Sequence, residues 1–435
     1  MDAVRDISGF KAAIGKGGPI TLARGAEFKG DLRVRSGMNI QVEPGDGPWP
    51  ILWGAVRGGD ISKLVLRGLD IRPGPNRAGI AFGGINADLD LQVRVEDCKD
   101  GVVLESAGRT RLDVEVVDYR RWACRVISQH GPVRDLDLWA YVHSAAPGVQ
   151  GHRGIAVEAR KHACEDVTIN GRVHDVRGSK GTMGGIAVLG DDGNPVRRVN
   201  IPTADISNAD GGLYVIGAED VTGDVWRVHS AGHQAQNGNV AFGLVDRAHV
   251  KTIISSDPAV GPWHKGREGH CFSTDGQPGV GGRGCTDVRV DLLLASGARA
   301  APIDSDMMPS AAFAAYRTQS KISIGTLVAT DCSTGVLMWE PRKSAQPLPL
   351  GVEVEHLVAV DLDAVFGWRG GGDQLRVGTL TTGGHIGTLY HPVTTSKLTD
   401  PEWRPVIGKP EPKPCPGMPQ FFKDMRDALN EWEGH

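Results

Sequence analysis

Paired carboxylates and clustered cations are the first chemistry this sequence offers. Glycoside hydrolysis uses two carboxyl groups roughly 5 to 10 Å apart, one protonated and one acting as nucleophile or base. Three pairs lie close together in the chain: Asp191 with Asp192, Glu268 with Asp275, and Asp304 with Asp306. Glu268, Asp275, Asp304 and Asp306 are the catalytic candidates, because Gly190-Asp191-Asp192-Gly193 is also an ordinary turn sequence. Elimination from a uronate instead needs a base near the C5 proton and a cation beside the carboxylate. His264, Lys265 and Arg267, next to Glu268, could supply those charges, so hydrolysis, elimination and binding without cleavage all stay open. A glycan-binding set is drawn from His152, Arg153, His233, Trp263, His264, Lys265, Arg267 and His270. It combines cations for acidic sugars, hydrogen-bonding groups for hydroxyls and an indole for stacking. Asp304-Ser305-Asp306 lacks the bracing Gly and distal Glu of a calcium loop, and no metal or cofactor is expected.

The elements that must position these residues form a repeat. From Gly79 to Pro392 a short apolar strand, usually entered through Gly, recurs about twelve times, as in Gly101-Val102-Val103-Leu104, Gly154-Ile155-Ala156-Val157, Gly185-Ile186-Ala187-Val188 and Gly212-Leu213-Tyr214-Val215. Each is preceded by a strand with alternating apolar residues, such as Leu64-Val65-Leu66 or Leu136-Asp137-Leu138. The early coils are about 22 to 23 residues long, close to the minimum for such a turn of chain. Later coils carry inserts between their two strands, at 144–153, 177–183, 230–238, 256–268 and 295–310. Inserts at equivalent points of stacked coils project from one side and should build a wall or groove along the rod. Most of the candidate residues fall in or beside them, together with His143, His174, Arg177, Lys180, His229, Gln234, Gln236 and Arg299.

Composition bounds the partners. The 435 residues carry a formal charge of -4 and no long basic run, which removes the electrostatic case for nucleic acid. No apolar stretch is long enough for a membrane span, and the segment after Met1 lacks the charged and apolar regions of an export signal. The seven cysteines have no metal-ligand spacing, and their odd number argues against a complete disulfide framework. Sixty glycines and 6% aromatics suit a chain that turns often and packs small residues in a narrow interior.

Both ends depart from the repeat. Residues 1–24 read as an N-terminal cap and first strand, with a short helix from Asp6 to Gly15 capped by Ser8. Residues 25–395 form the coil stack, and 396–435 a proline-rich linker followed by a helix. Phe421, Phe422, Met425, Leu429 and Trp432 fall on one face of that helix, a stripe suited to docking on a partner protein or back onto the last coil.

The Ile20-Thr21-Leu22-Ala23-Arg24-Gly25 opening and coils such as Val93-Arg94-Val95-Glu96-Asp97-Cys98-Lys99-Asp100-Gly101-Val102-Val103-Leu104 resemble the right-handed parallel β-helix proteins of the pectate-lyase type, over roughly residues 6 to 395. The resemblance implies an all-β solenoid. Gly190-Asp191-Asp192-Gly193 and Gly269-His270 are similar to elements of polygalacturonases, although that family places them on adjacent coils and this chain does not. The Trp-Ile-Asp-His signature of pectate lyases is missing. In organisation the chain is most similar to phage tailspikes, which implies a homotrimer assembled in the host cytoplasm and carried on the virion. Such a spike binds capsule or lipopolysaccharide, with or without cleaving it, and docks to other virion proteins through a terminal segment. A free polysaccharide lyase or hydrolase, and a non-catalytic spacer, are the other readings. Three parallel rods would bury side faces, for which Trp139, Tyr141, Trp226, Trp339 and Trp368 are the candidate contacts.

Overall fold

A computed structural model describes residues 3–16, 18–143, 153–176, 184–231, 238–258, 269–275, 284–299, 309–316, 320–339, 351–369, 375–392 and 405–408. Its strands all join one sheet of 25, and every registered strand pair is parallel. Parallel pairing between successive turns of chain, with one strand of each turn stacked on its equivalent in the next, makes the molecule a β-solenoid.

Two ladders run along it. In the first, Thr110, Leu136, Val167, Val199, Val221, Ala248, Val288, Ile322, Val352 and Leu375 stack rung on rung. In the second, Leu32, Val56, Ile80, Val102, Cys124, Ile155, Ile186, Leu213, Val240, Phe272, Phe313, Val336, Phe366 and Tyr390 do the same. Side chains alternate across a strand, so one register places a whole column of apolar groups inside. Nearly all of these residues are buried in one continuous core.

The glycines that enter the second ladder are required by close approach. A Cβ on Gly154 would sit 2.3 Å from the carbonyl oxygen of Gly185, and one on Gly185 would sit 2.2 Å from that of Gly212. Successive coils therefore touch backbone to backbone at this corner, which only glycine permits.

The opposite corner is set by charged residues. Lys63, Asp88, Arg109, Asp135, Asp166, Arg198, Asp220, Arg247, Asp287 and Lys321 all take φ between 45 and 58°, each just before the inward residue that opens the alternating stretch of its first-ladder strand. Along this column acidic and basic residues mostly alternate, and Arg109–Asp88, Arg198–Asp166 and Arg247–Asp220 pair between coils at 2.6, 2.6 and 2.7 Å.

The first open end is closed by the helix Ile7–Lys16, which seats Phe10 against Phe28 at 5.4 Å between ring centroids. The sequence reading assigned the cap to Ser8. It is Asp6 whose Oδ1 accepts a hydrogen bond from the Gly9 amide at 2.7 Å, because the helix runs from Ile7 and so makes Asp6, not Ser8, the residue just before its first turn.

Three of the five aromatic residues expected on the side faces are buried. Trp226 is fully buried, donating from Nε1 to the Ile201 carbonyl at 2.8 Å, and its ring occupies the space that a Cβ on Gly223 would need. Its rung neighbours Ala140, Gly171 and Ala204 are small enough to leave room for it. Trp339 and Trp368 are also buried. Trp139 and Tyr141 are the two that face outward, at 49% and 42% exposure.

Candidate binding face

From Leu136 onward the first-ladder strand Val133–His143 alternates, placing Leu136, Leu138, Ala140 and Val142 inside and Trp139, Tyr141 and His143 outside. Trp139 and Tyr141 are two residues apart, which puts their rings roughly 7 Å apart along the strand. Trp139 Nε1 donates to Asp137 Oδ1 at 3.0 Å, fixing the indole on the surface. Tyr141 lies 4.8 Å from the His143 ring and 6.0 Å from that of His174, the rung partner of His143 on the next coil. The same column continues through Ser207, His229 and Ser256, with His174 Nδ1 2.6 Å from Ser207 Oγ and His229 Nδ1 2.8 Å from Ser256 Oγ. Burial pulls the His174 pKa below its ordinary 6.5, which keeps this imidazole neutral near neutral pH.

A second group sits on the outward face of the second ladder. Here Trp122 and Arg153 are rung partners on adjacent coils. The guanidinium carbons of Arg125 and Arg153 lie 4.7 and 4.3 Å from the centre of the Trp122 ring. Glu158, 1% exposed, accepts both Arg125 Nε and Nη2, at 2.7 and 2.8 Å, and also Arg160 Nη2 at 3.0 Å. Burial alone would raise the Glu158 carboxyl. The hydrogen bonds and charges of Arg125 and Arg160 outweigh it and hold the group below its ordinary 4.5. Arg121 is likewise held by Asp100 through two bonds of 2.7 and 2.6 Å.

The expected site residues divide sharply. Glu268, Asp304, Asp306, His152, His233, Trp263, His264, Lys265 and Arg267 lie outside the described residues, as do Phe421, Phe422, Met425, Leu429 and Trp432. The expected inserts largely coincide with those segments, and each connects the end of a first-ladder strand to the start of a second-ladder strand. Asp275 ends the strand Phe272–Asp275, in register with Gly243. Arg153 is at the outer face.

His270 is fully buried. Its Nδ1 accepts the Ala311 amide at 3.1 Å, so in the neutral ring Nε2 carries the proton and donates to the Tyr316 hydroxyl. Burial drives its pKa down to about 3, and the ring holds Tyr316 in place instead of meeting a ligand at the surface. Asp191 forms a turn, accepting the Gly193 and Asn194 amides at 2.9 and 2.8 Å through Oδ1, as its sequence context suggested.

Among the described residues, no three His, Cys, Asp or Glu are placed to hold a metal ion, and no helix is long and apolar enough to cross a membrane. The six described cysteines are buried free thiols, with burial pushing Cys124 and Cys164 up to about 12. Every described carboxyl whose pKa departs from its ordinary value is shifted down. None of these is poised as a general acid.

Trp139, Tyr141, Trp122, Arg121, Arg125, Glu158 and Arg160 are not among the ligand-site residues offered by the sequence, whereas His143 and His174 are, as residues beside the inserts. The outward position of Trp139 and Tyr141 is readable from strand parity, since both follow Leu136 and Leu138 by odd steps. The arginine cluster draws on three coils and becomes visible only once their register is known. Compared with known proteins, the chain matches no family model, no curated protein and no solved structure.

Proposed function

We propose that this solenoid is a phage or phage-like virion spike that binds a bacterial surface polysaccharide, capsule or lipopolysaccharide, along its outer face. The observation that carries the binding reading is the exposed pair Trp139 and Tyr141, set on a rigid strand beside the His143 and His174 imidazoles. Flat aromatic faces stack on sugar rings, and neighbouring polar groups bond their hydroxyls. A ladder repeats its spacing from coil to coil, which suits a repeating polymer more than a small ligand. The virion assignment draws on the resemblance in organisation to tailspikes, and with it come a homotrimer and attachment to other virion proteins through a terminal segment. Glu158, the buried carboxyl of the arginine cluster, is held ionised by Arg125 and Arg160 and is not available as a general acid, which favours binding at this face.

The test is incubation of purified protein with a panel of capsular and lipopolysaccharide glycans, following retention, released oligosaccharides and the ultraviolet absorbance of unsaturated uronates. Retention without product is expected. Product with new absorbance would replace this reading with a lyase, product without it with a hydrolase, and no retention on any glycan would leave a structural spacer.

A further inference from the structure

Among the described residues, the arginine cluster has an excess of positive charge that its carboxylates do not balance. Arg121, Arg125, Arg153 and Arg160 bring four charges, while Asp100 and Glu158 return two. Asp100 is spent on Arg121, and Glu158 is shared by Arg125 and Arg160. Arg153 has no carboxylate partner among the described residues, yet it is half-buried, with its guanidinium laid on Trp122 at 4.3 Å. Loss of water around it, and repulsion from Arg125, Arg121 and Arg160 against the attraction of Glu158, lower its pKa from the ordinary 12.5. The fold thus gathers a cation among like charges and fixes its orientation by stacking. A guanidinium stacked on an aromatic face keeps its hydrogen-bonding edge available, and that edge matches two oxygens of one anion.

We infer that Arg153, oriented by Trp122 and backed by Arg125, is the anion-binding residue of this face and takes a carboxylate, sulfate or phosphate group of the ligand. The inference rests on the glycan reading for its source, an acidic sugar or a phosphate substituent on the polymer. The anion site itself is open to test without a polymer. Binding of trigalacturonate, inorganic phosphate and neutral maltotriose to the full-length protein is measured by titration calorimetry at fixed ionic strength. The wild-type protein and the Arg153→Gln and Arg153→Lys variants are compared, with thermal unfolding of each as a check on folding.

The expected result is an anion affinity that falls about tenfold to a hundredfold in Arg153→Gln, the range for a hydrogen bond to a charged group. Arg153→Lys, which keeps the charge but loses the planar fork, should retain part of it, and maltotriose should be unaffected by either change. Trigalacturonate binding through Arg153 identifies an acidic sugar as the source. Phosphate binding through Arg153 alone identifies a phosphate group. If the wild-type protein binds neither anion, or if Arg153→Gln binds both as tightly as wild type, the inference is overturned and Arg153 serves only to cover Trp122. Retention on neutral glycans with anion binding indifferent to Arg153 would sink this inference and leave the glycan reading standing. Anion binding through Arg153 without retention on any polysaccharide would do the reverse.

Discussion

Glu158 shows how one side chain organises the outer face of the second ladder. It is almost fully buried, and it is the shared acceptor for two arginines on either side in sequence, Arg125 and Arg160. Replacing it by glutamine leaves both guanidinium groups without a counter-charge. The expected cost is roughly 3 kcal/mol, the low end for breaking a buried pair, because Arg160 keeps 57% of its side chain in water. Chemical denaturation of Glu158→Gln checks the magnitude, and a loss below 0.5 kcal/mol, the usual scatter of surface substitutions, would contradict it. The folded pKa of Glu158 is lowered, so its contribution is fully present above the ordinary 4.5 and is lost as pH falls through the folded value. His270 acts in a higher window. Its folded pKa is depressed to about 3 from 6.5, so the unfolded chain takes up a proton first and stability declines as pH drops below 6.5. Thermal midpoints measured from neutral pH downward should fall more steeply for wild type than for His270→Gln, and parallel slopes would contradict this assignment.

At the scale of the element, the corner before each first-ladder strand carries both the turn and the register. Residues in this left-handed conformation are mostly Asp, Arg or Lys, and no β-branched residue is among them. Asp tolerates such φ through local hydrogen bonding, while a β-branched side chain meets the backbone. Two substitutions at Asp220 separate conformation from charge. Asp220→Val should lose about 1 to 2 kcal/mol through the backbone term. Asp220→Gly gives up the exposed pair with Arg247 but eases the backbone, and should stay within about 1 kcal/mol of wild type. Equal losses in the two variants would place the stability in the ion pair and not in the turn.

The repeat made the strands and their stacking legible in the sequence, because period-two alternation and an entering glycine are local signals with a direct physical cause. The column of charged corner residues is a local feature too, with Asp, Arg or Lys before each apolar run as in Arg134-Asp135-Leu136 and Glu165-Asp166-Val167, but it was not read from the sequence, because nothing in one coil marks the residue as left-handed. What also escaped was anything that depends on which rung meets which. Trp226 reads as a surface candidate until Ala140, Gly171 and Ala204 are known to share its row. Arg125 and Glu158 read as scattered charges, and Arg153 as one cation beside an insert, until Trp122 is known to face Arg153.

On the whole molecule, the solenoid turns side chains far apart in sequence into rows on a rigid rod. The outer faces of adjacent coils bring exposed aromatics, imidazoles and an arginine cluster to the same stretch of that rod. The measurement that tests the account most directly is affinity electrophoresis of wild type and of a Trp139→Ala, Tyr141→Ala double variant through gels containing capsular polysaccharide or lipopolysaccharide. Both residues are exposed, so the variant should keep the fold and its thermal midpoint. The account predicts that at least one glycan retards the wild-type protein and that the variant runs through it with little or no retardation. Equal retardation of the two proteins, or free passage of the wild type through every glycan, would contradict it.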